Sequence, residues 1–125
     1  MTAEPYSSRV RELFREPRHA GNVSDGLEAI VEDQGVRIRL TMSSPGGTID
    51  ALRFQAWGCP HVIAACEAFC AACEGRQAAD LRTYSAAGLM QSLAVPVEKT
   101  GRILVLEDAV RSLGILARVA ETPPD

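Results

Sequence analysis

Between residues 36 and 42 the chain alternates strictly. Val36, Ile38, Leu40 and Met42 are apolar, and Arg37, Arg39 and Thr41 between them are polar. A period of two belongs to a strand with one face on a core and one in water. Leu27 to Glu32 precedes it as a second strand, across the hairpin-type turn Asp33-Gln34-Gly35. Ile49 to Trp57 follows as a third, after Ser43-Ser44-Pro45-Gly46-Gly47, with Leu52, Phe54 and Ala56 at alternate positions. Turns this short predict an antiparallel meander.

Elsewhere the apolar spacing lengthens to that of a helix. Tyr6, Val10, Leu13 and Phe14 fall on one face of a first helix, with Ser7 or Ser8 as its cap and Pro17 at its end. The second half of the chain is helical: Pro60 to Glu74, stopped by Gly75; Ser85 to Leu93, with Ser85 as cap; and Arg102 to Val119, apolar at Ile103, Leu106, Val110, Leu113 and Val119. Strands followed by helices predict an α+β fold, a three-stranded antiparallel sheet with helices packed on one face.

Where the third strand gives way to the long helix stands Cys59, in Ala56-Trp57-Gly58-Cys59-Pro60-His61. Proline at a first helical position loses no hydrogen bond, so Cys59 precedes a helix N-terminus. Unpaired N–H groups and the positive end of the helix dipole meet there and favour thiolate over thiol. Gly58 is expected to turn the backbone sharply and leave the sulfur uncovered. The plainer reading of the same position is a small apolar residue at a corner, because free cysteine is among the most buried residue types. Local sequence leaves both open.

Cys66, Cys70 and Cys73 follow at steps of seven, four and three residues, on one helical stripe with Cys59. Four sulfurs on a stripe invite a metal. However, tetrahedral thiolate sites hold sulfur about 2.3 Å from one ion, and Cys59 and Cys73 are about 20 Å apart at ~1.5 Å per residue. The later three read as small core residues facing the sheet. Cys70-Ala71-Ala72-Cys73 has the spacing of a redox dithiol but lies at the wrong end of its helix. His61 is a candidate ligand or proton carrier beside Cys59, although a surface histidine in a first helical turn is the plainer reading. Glu32, Asp33 and Asp50 are carboxylates near strand ends, as turns normally carry. Arg102 begins the last helix, where the dipole disfavours a cation. That suits it to an anion or a thiolate, against the ordinary reading of a solvated arginine.

The 125 residues fit a single domain, 1–125, with tails expected at about 1–5 and 120–125. A net charge of -3 gives no general electrostatic case for nucleic acid or an anionic membrane. No stretch approaches the roughly 20 apolar residues of a membrane span, and no secretory signal is visible at Met1-Thr2-Ala3-Glu4-Pro5. The expected compartment is the cytoplasm, where thiols stay reduced.

The order of these features resembles the IscU/NifU N-terminal family of iron–sulfur cluster assembly scaffolds. Tyr6-Ser7 and Phe14-Arg15-Glu16-Pro17-Arg18-His19-Ala20-Gly21 are similar to its opening helix and Pro-Arg-Asn-x-Gly turn, with His19 in place of asparagine. Ala51 to Cys59 is similar to its third strand and cysteine corner, Gly75-Arg76-Gln77 to a Gly-Lys-Ser turn, and Leu93-Ala94-Val95-Pro96 and Leu106-Glu107-Asp108-Ala109 to its closing signatures. The resemblance implies a SufE/NifU-like fold and a role in iron–sulfur cluster assembly. The implied cargo is an iron–sulfur cluster or iron, with zinc as an alternative metal. The implied partners are a cysteine desulfurase and other assembly proteins.

The resemblance also implies a cluster site of three cysteines with an aspartate and a histidine close by. Only Cys59 survives of those three. Val31-Glu32-Asp33-Gln34 stands where the first is expected, and Gly101 and Arg102 where the last is. One thiolate cannot hold a [2Fe–2S] cluster, which normally has four ligands. Three readings result. An atypical scaffold would bind metal through Cys59, with Glu32 or Asp33 supplying oxygen and His61 nitrogen. A sulfur acceptor, similar to the SufE proteins, would take persulfide sulfur on Cys59, with Arg102 stabilising the anion. A third is a partner-binding module that kept the fold alone. None of the three is an enzyme in the strict sense.

Overall fold

The structure, a computed structural model of the chain, describes residues 6–121. The expected tails lie outside the described residues, except that 120 and 121 continue the last helix. The order of elements is α1 (Ser8–Arg15), β1 (Leu27–Asp33), β2 (Val36–Ser43), β3 (Ala51–Trp57), α2 (Pro60–Cys73), α3 (Ala87–Ser92) and α4 (Thr100–Glu121). Short 3-10 segments at Ala78–Thr83 and Val97–Lys99 lead into α3 and α4.

The three strands form an antiparallel sheet in the order β1-β2-β3, pairing Ile38 with Val31 on one side and Ala56 on the other. The β1–β2 connection is a tight turn at Gln34 and Gly35, both with positive φ (54° and 71°). Two such residues in succession define the mirror-image turn that matches strand twist. Val36, Ile38, Leu40 and Met42 are buried on the inner face with Ala29, Leu52 and Phe54.

Helices α2 and α4 cover that face, α2 on β3 and α4 on β1 and β2. Val62, Cys66 and Phe69 enter the core from α2, and Ile103, Leu106, Val110 and Leu113 from α4. Helix α1 packs on the far side of α2, so α2 is enclosed on two sides. Its sequence is apolar almost throughout, as an enclosed helix requires.

Several expectations change in detail. Phe14 is exposed, and of α1 only Val10 is fully buried. Val119 is exposed, because it falls on the opposite side of α4 from the buried stripe of Ile103, Leu106, Val110 and Leu113. Thr41 belongs to the wet face by alternation but is buried, its hydroxyl accepting a bond from the Val23 amide (2.9 Å) as residues 22–26 cross the sheet. Ser7 caps α1, its Oγ accepting from the Val10 amide (3.2 Å). Ser85 lies one residue ahead of the α3 cap, Ala86, and accepts from the Ala87 amide (3.3 Å).

Candidate functional site

Cys59 is the N-cap residue of α2, with extended backbone (φ -78°, ψ 168°) and Pro60 in the first turn. Gly58 precedes it without the left-handed conformation that would demand glycine. Its requirement is space, since a Cβ there would lie 3.2 Å from Val62 Cβ. The sulfur is half-buried, and no amide bonds it at strict capping geometry. Burial pushes the Cys59 thiol pKa up. The Val62 N–H, the Arg102 side chain, the His61 N–H and the charge of Lys99 together outweigh burial and bring it below the usual thiol value.

The last helix brings the cations. Lys99 and Arg102 flank the first turn of α4, whose start meets the tip of the β1–β2 hairpin. A Cβ on Gly101 would lie 3.6 Å from Gln34 Oε1. A positive helix end carrying two further cations is unfavourable alone; the same cations favour the anionic form of the sulfur opposite.

The structure places Cys59, His61 and Arg102 at one corner. Glu32 and Asp33 lie at the exposed end of β1, where Asp33 accepts a bond from the Gln34 amide (2.9 Å). Asp50 is exposed before β3. Among the described residues, no group of three or more His, Cys, Asp or Glu is placed to hold a metal ion. The other three cysteines are free thiols buried in the core, and burial raises the pKa of each.

His61 is not a surface residue. It is 1% exposed, and neither ring nitrogen has a hydrogen-bond partner. Its ring packs on Tyr6 (centroids 4.8 Å apart), and Lys99 Nζ lies over the other ring at 5.7 Å from the Tyr6 centroid. Burial, then the Lys99 charge, lowers the His61 pKa against the opposing pull of Glu98. The ring is therefore a neutral imidazole near neutral pH.

A second polar cluster fastens the segment after α1. The His19 amide donates to Glu67 Oε1 (2.6 Å), and its ring bonds Glu67 through Nδ1 and Glu74 through Nε2 (2.8 Å). Glu74 Oε2 also accepts from the Leu52 amide (2.9 Å) and from Arg53 (2.8 Å). Glu67 is 3% exposed, a carboxylate inside the protein satisfied by His19. Sequence reasoning missed this cluster. The available signal was in α2, where His61 and Glu67 are the sole polar residues in an otherwise apolar run.

An antiparallel three-stranded sheet under helices, with a cysteine capping the helix that follows its last strand, defines a class. The chain belongs to the family described as the NifU-like N terminal domain, whose profile matches residues 5–115. Solved structures share the fold at low identity. A nitrogen-fixing NifU-like protein (N-terminal) from Brucella abortus is 14% identical with a TM-score of 0.71, over 94% of this chain and 95% of that one. A hypothetical protein is 16% identical with a TM-score of 0.70, over 86% and 95%. A candidate iron–sulfur cluster assembly scaffold protein for the SUF system of the thermophile Fervidobacterium islandicum is 14% identical with a TM-score of 0.59, over 84% and 81%. No curated protein matches the chain. No described helix is long and apolar enough to cross a membrane.

Proposed function

We propose that the protein serves iron–sulfur cluster assembly, and that Cys59 is a thiolate that accepts sulfane sulfur from a cysteine desulfurase. The observation that carries this reading is the charge around one sulfur. Of the four cysteines Cys59 alone is not buried, and Arg102 and Lys99 both favour its anion. The same surroundings would stabilise the persulfide that follows.

The transfer balances without an external oxidant or reductant. The Cys59 thiolate attacks the outer sulfur of the donor persulfide, R–S–SH. A new S–S bond forms as the donor's S–S bond breaks. The broken bond's electron pair leaves on the donor sulfur as R–S⁻, and the proton stays on the transferred sulfur. Thiolate attack of this kind is the general chemistry of sulfur exchange.

A cluster would be cargo, and this chain's residues do not fit a cluster held alone. One thiol faces the site, two cations face that thiol, and the described residues hold no metal-binding group of three. A second reading is iron or zinc bound through Cys59 and completed by a partner. Its support is His61, a buried neutral imidazole with both nitrogens unpartnered, two residues from Cys59. On either reading the protein acts as a carrier or scaffold beside other assembly proteins and is not an enzyme in the strict sense.

Anaerobic incubation with ferrous iron and sulfide, and separately with inorganic polysulfide, distinguishes the two. The sulfur reading expects no retained iron and one added sulfur on Cys59, absent from Cys59→Ser. Retained iron that disappears in Cys59→Ser favours the metal reading. Neither iron nor added sulfur contradicts both.

A further inference from the structure

The outer edge of β3 is closed position by position until it nears Cys59. Phe54 donates its amide to His19 O (3.0 Å) and accepts from the Gly21 amide (2.8 Å), so its polar groups point away from β2. In-plane direction alternates along an antiparallel strand, so Leu52 and Ala56 point outward too. The Leu52 amide is taken by the Glu74 carboxylate. The flanking segment forms one parallel bridge, Ala20 to Phe54, and then turns away at Gly21 (φ 138°). Among the described residues, no hydrogen bond reaches Ala56 along this edge.

Beside Ala56 lies an open, mostly apolar groove of about 540 Å³, lined by Pro17, Gly21, Phe54, Trp57 and Ile63 among others. Trp57, next to Ala56 and two residues before Cys59, is a large apolar surface 57% exposed. An unpaired strand edge with an apolar pocket is the arrangement that adds a strand, the backbone giving affinity and the pocket selecting alternate side chains. Cations gather at the Cys59 end of the groove. Arg37 lies over the Trp57 ring at 5.3 Å, and Lys99 and Arg102 act on Cys59. Glu98, acting through His61, opposes them.

We propose that this groove receives an extended acidic segment of the sulfur donor, paired as an added strand at Ala56 so that its persulfide cysteine lies about three residues further on, against Cys59. At ~3.3 Å per residue, three residues of strand span about 10 Å. The proposal rests on the sulfur-acceptor reading. It assigns to that reading a docking mode in which main-chain bonds hold the donor and Arg37, Lys99 and Arg102 select its charge.

The test uses the full chain, isotope-labelled for amide NMR. The probe is an acidic hexapeptide of alternating glutamate and valine, ending in a cysteine persulfide. The expected result is slowed exchange of the Ala56 amide and transfer of sulfur to Cys59 about a hundredfold faster than from free cysteine persulfide, the gain of a tethered reactant. The same peptide with alternate backbone amides methylated should lose both effects. An unaltered Ala56 amide, or equal transfer from the methylated peptide, overturns the proposal. Equal transfer from a glutamine-for-glutamate peptide overturns the acidic assignment. Failure of free cysteine persulfide to load Cys59 at all is a separate result, which removes the sulfur-acceptor reading.

Discussion

The guanidinium of Arg102, at the start of α4, acts on the sulfur of Cys59, at the start of α2. Two helix N-termini thus converge on one thiol, and the side chain from the second helix is a cation. A metal-binding corner would place a ligand there; this one places a charge that repels a metal ion and attracts a thiolate.

Removing that charge should be visible in the pH profile of alkylation. Lowering a thiol's pKa enlarges its thiolate fraction at neutral pH, and one unit corresponds to about tenfold in that fraction. In Arg102→Gln the midpoint of Cys59 alkylation by iodoacetamide moves to higher pH, and the rate at pH 7 falls by roughly threefold to tenfold. An unmoved midpoint would mean that Arg102 does not act on the sulfur.

Native reactivity should separate the cysteines. Cys66, Cys70 and Cys73 are buried with raised pKa values. A disulfide reagent should titrate one thiol in the folded protein and the remaining three only in denaturant. Cys59→Ser should abolish the native reaction.

The cluster around His19 should matter to stability. In His19→Leu the Glu67 carboxylate loses its ring partner inside the protein, a change that costs roughly 2–4 kcal/mol. Urea unfolding measures it. Glu67→Gln with His19 intact should cost less, since the glutamine Oε1 can still accept the bond that the His19 backbone amide donates.

The same cluster sets an acid limit. Burial alone would raise the Glu74 pKa, but the Leu52 amide, His19 and Arg53 bring it below the ordinary carboxylate value. A carboxylate depressed in the folded state adds stability above its unfolded pKa, about 4.3. That contribution is lost as pH falls through the folded value. The stability gap between the native protein and Glu74→Gln should therefore be constant at neutral pH and close at acid pH. A gap that persists to the lowest pH at which the protein stays folded would contradict this.

Close packing at Gly114 gives a further check. A Cβ there would lie 2.6 Å from the Arg82 amide nitrogen and 2.9 Å from the Leu81 carbonyl carbon, both backbone. Gly114→Ala therefore strains the contact between α4 and the Ala78–Thr83 segment, with an expected loss of about 1–3 kcal/mol. Unchanged denaturant midpoints would mean that the backbone yields freely there.

The sheet was legible because its signal is local. The alternation from Val36 to Met42 is a strand whatever surrounds it, and Cys59-Pro60 marks a helix start by chemistry alone. Arg102 was legible only as a cation at an unfavourable helix end; nothing in the local sequence ties it to Cys59, which lies far away along the chain. His61 was misread because its burial depends on Tyr6, which lies ahead of α1 and far away in sequence, and no periodicity within α2 encodes that cover. Glu67 was overlooked for the same reason, its partner being His19. The all-apolar character of α2 held the clue, since a helix without a wet face also buries its few polar residues. Phe14 and Val119 erred in the opposite sense: Phe14 has the spacing of the inner face of α1 and is still exposed, and Val119 is apolar but lies off the buried stripe of α4.

The central claim is that Cys59 receives sulfur. The most direct measurement is the intact mass of the protein, without reductant, after a cysteine desulfurase has turned over cysteine in its presence. The account predicts a species heavier by one sulfur atom, located on Cys59 by fragmentation, removed by reductant and absent from Cys59→Ser. An unchanged mass, with the desulfurase demonstrably active, would contradict it.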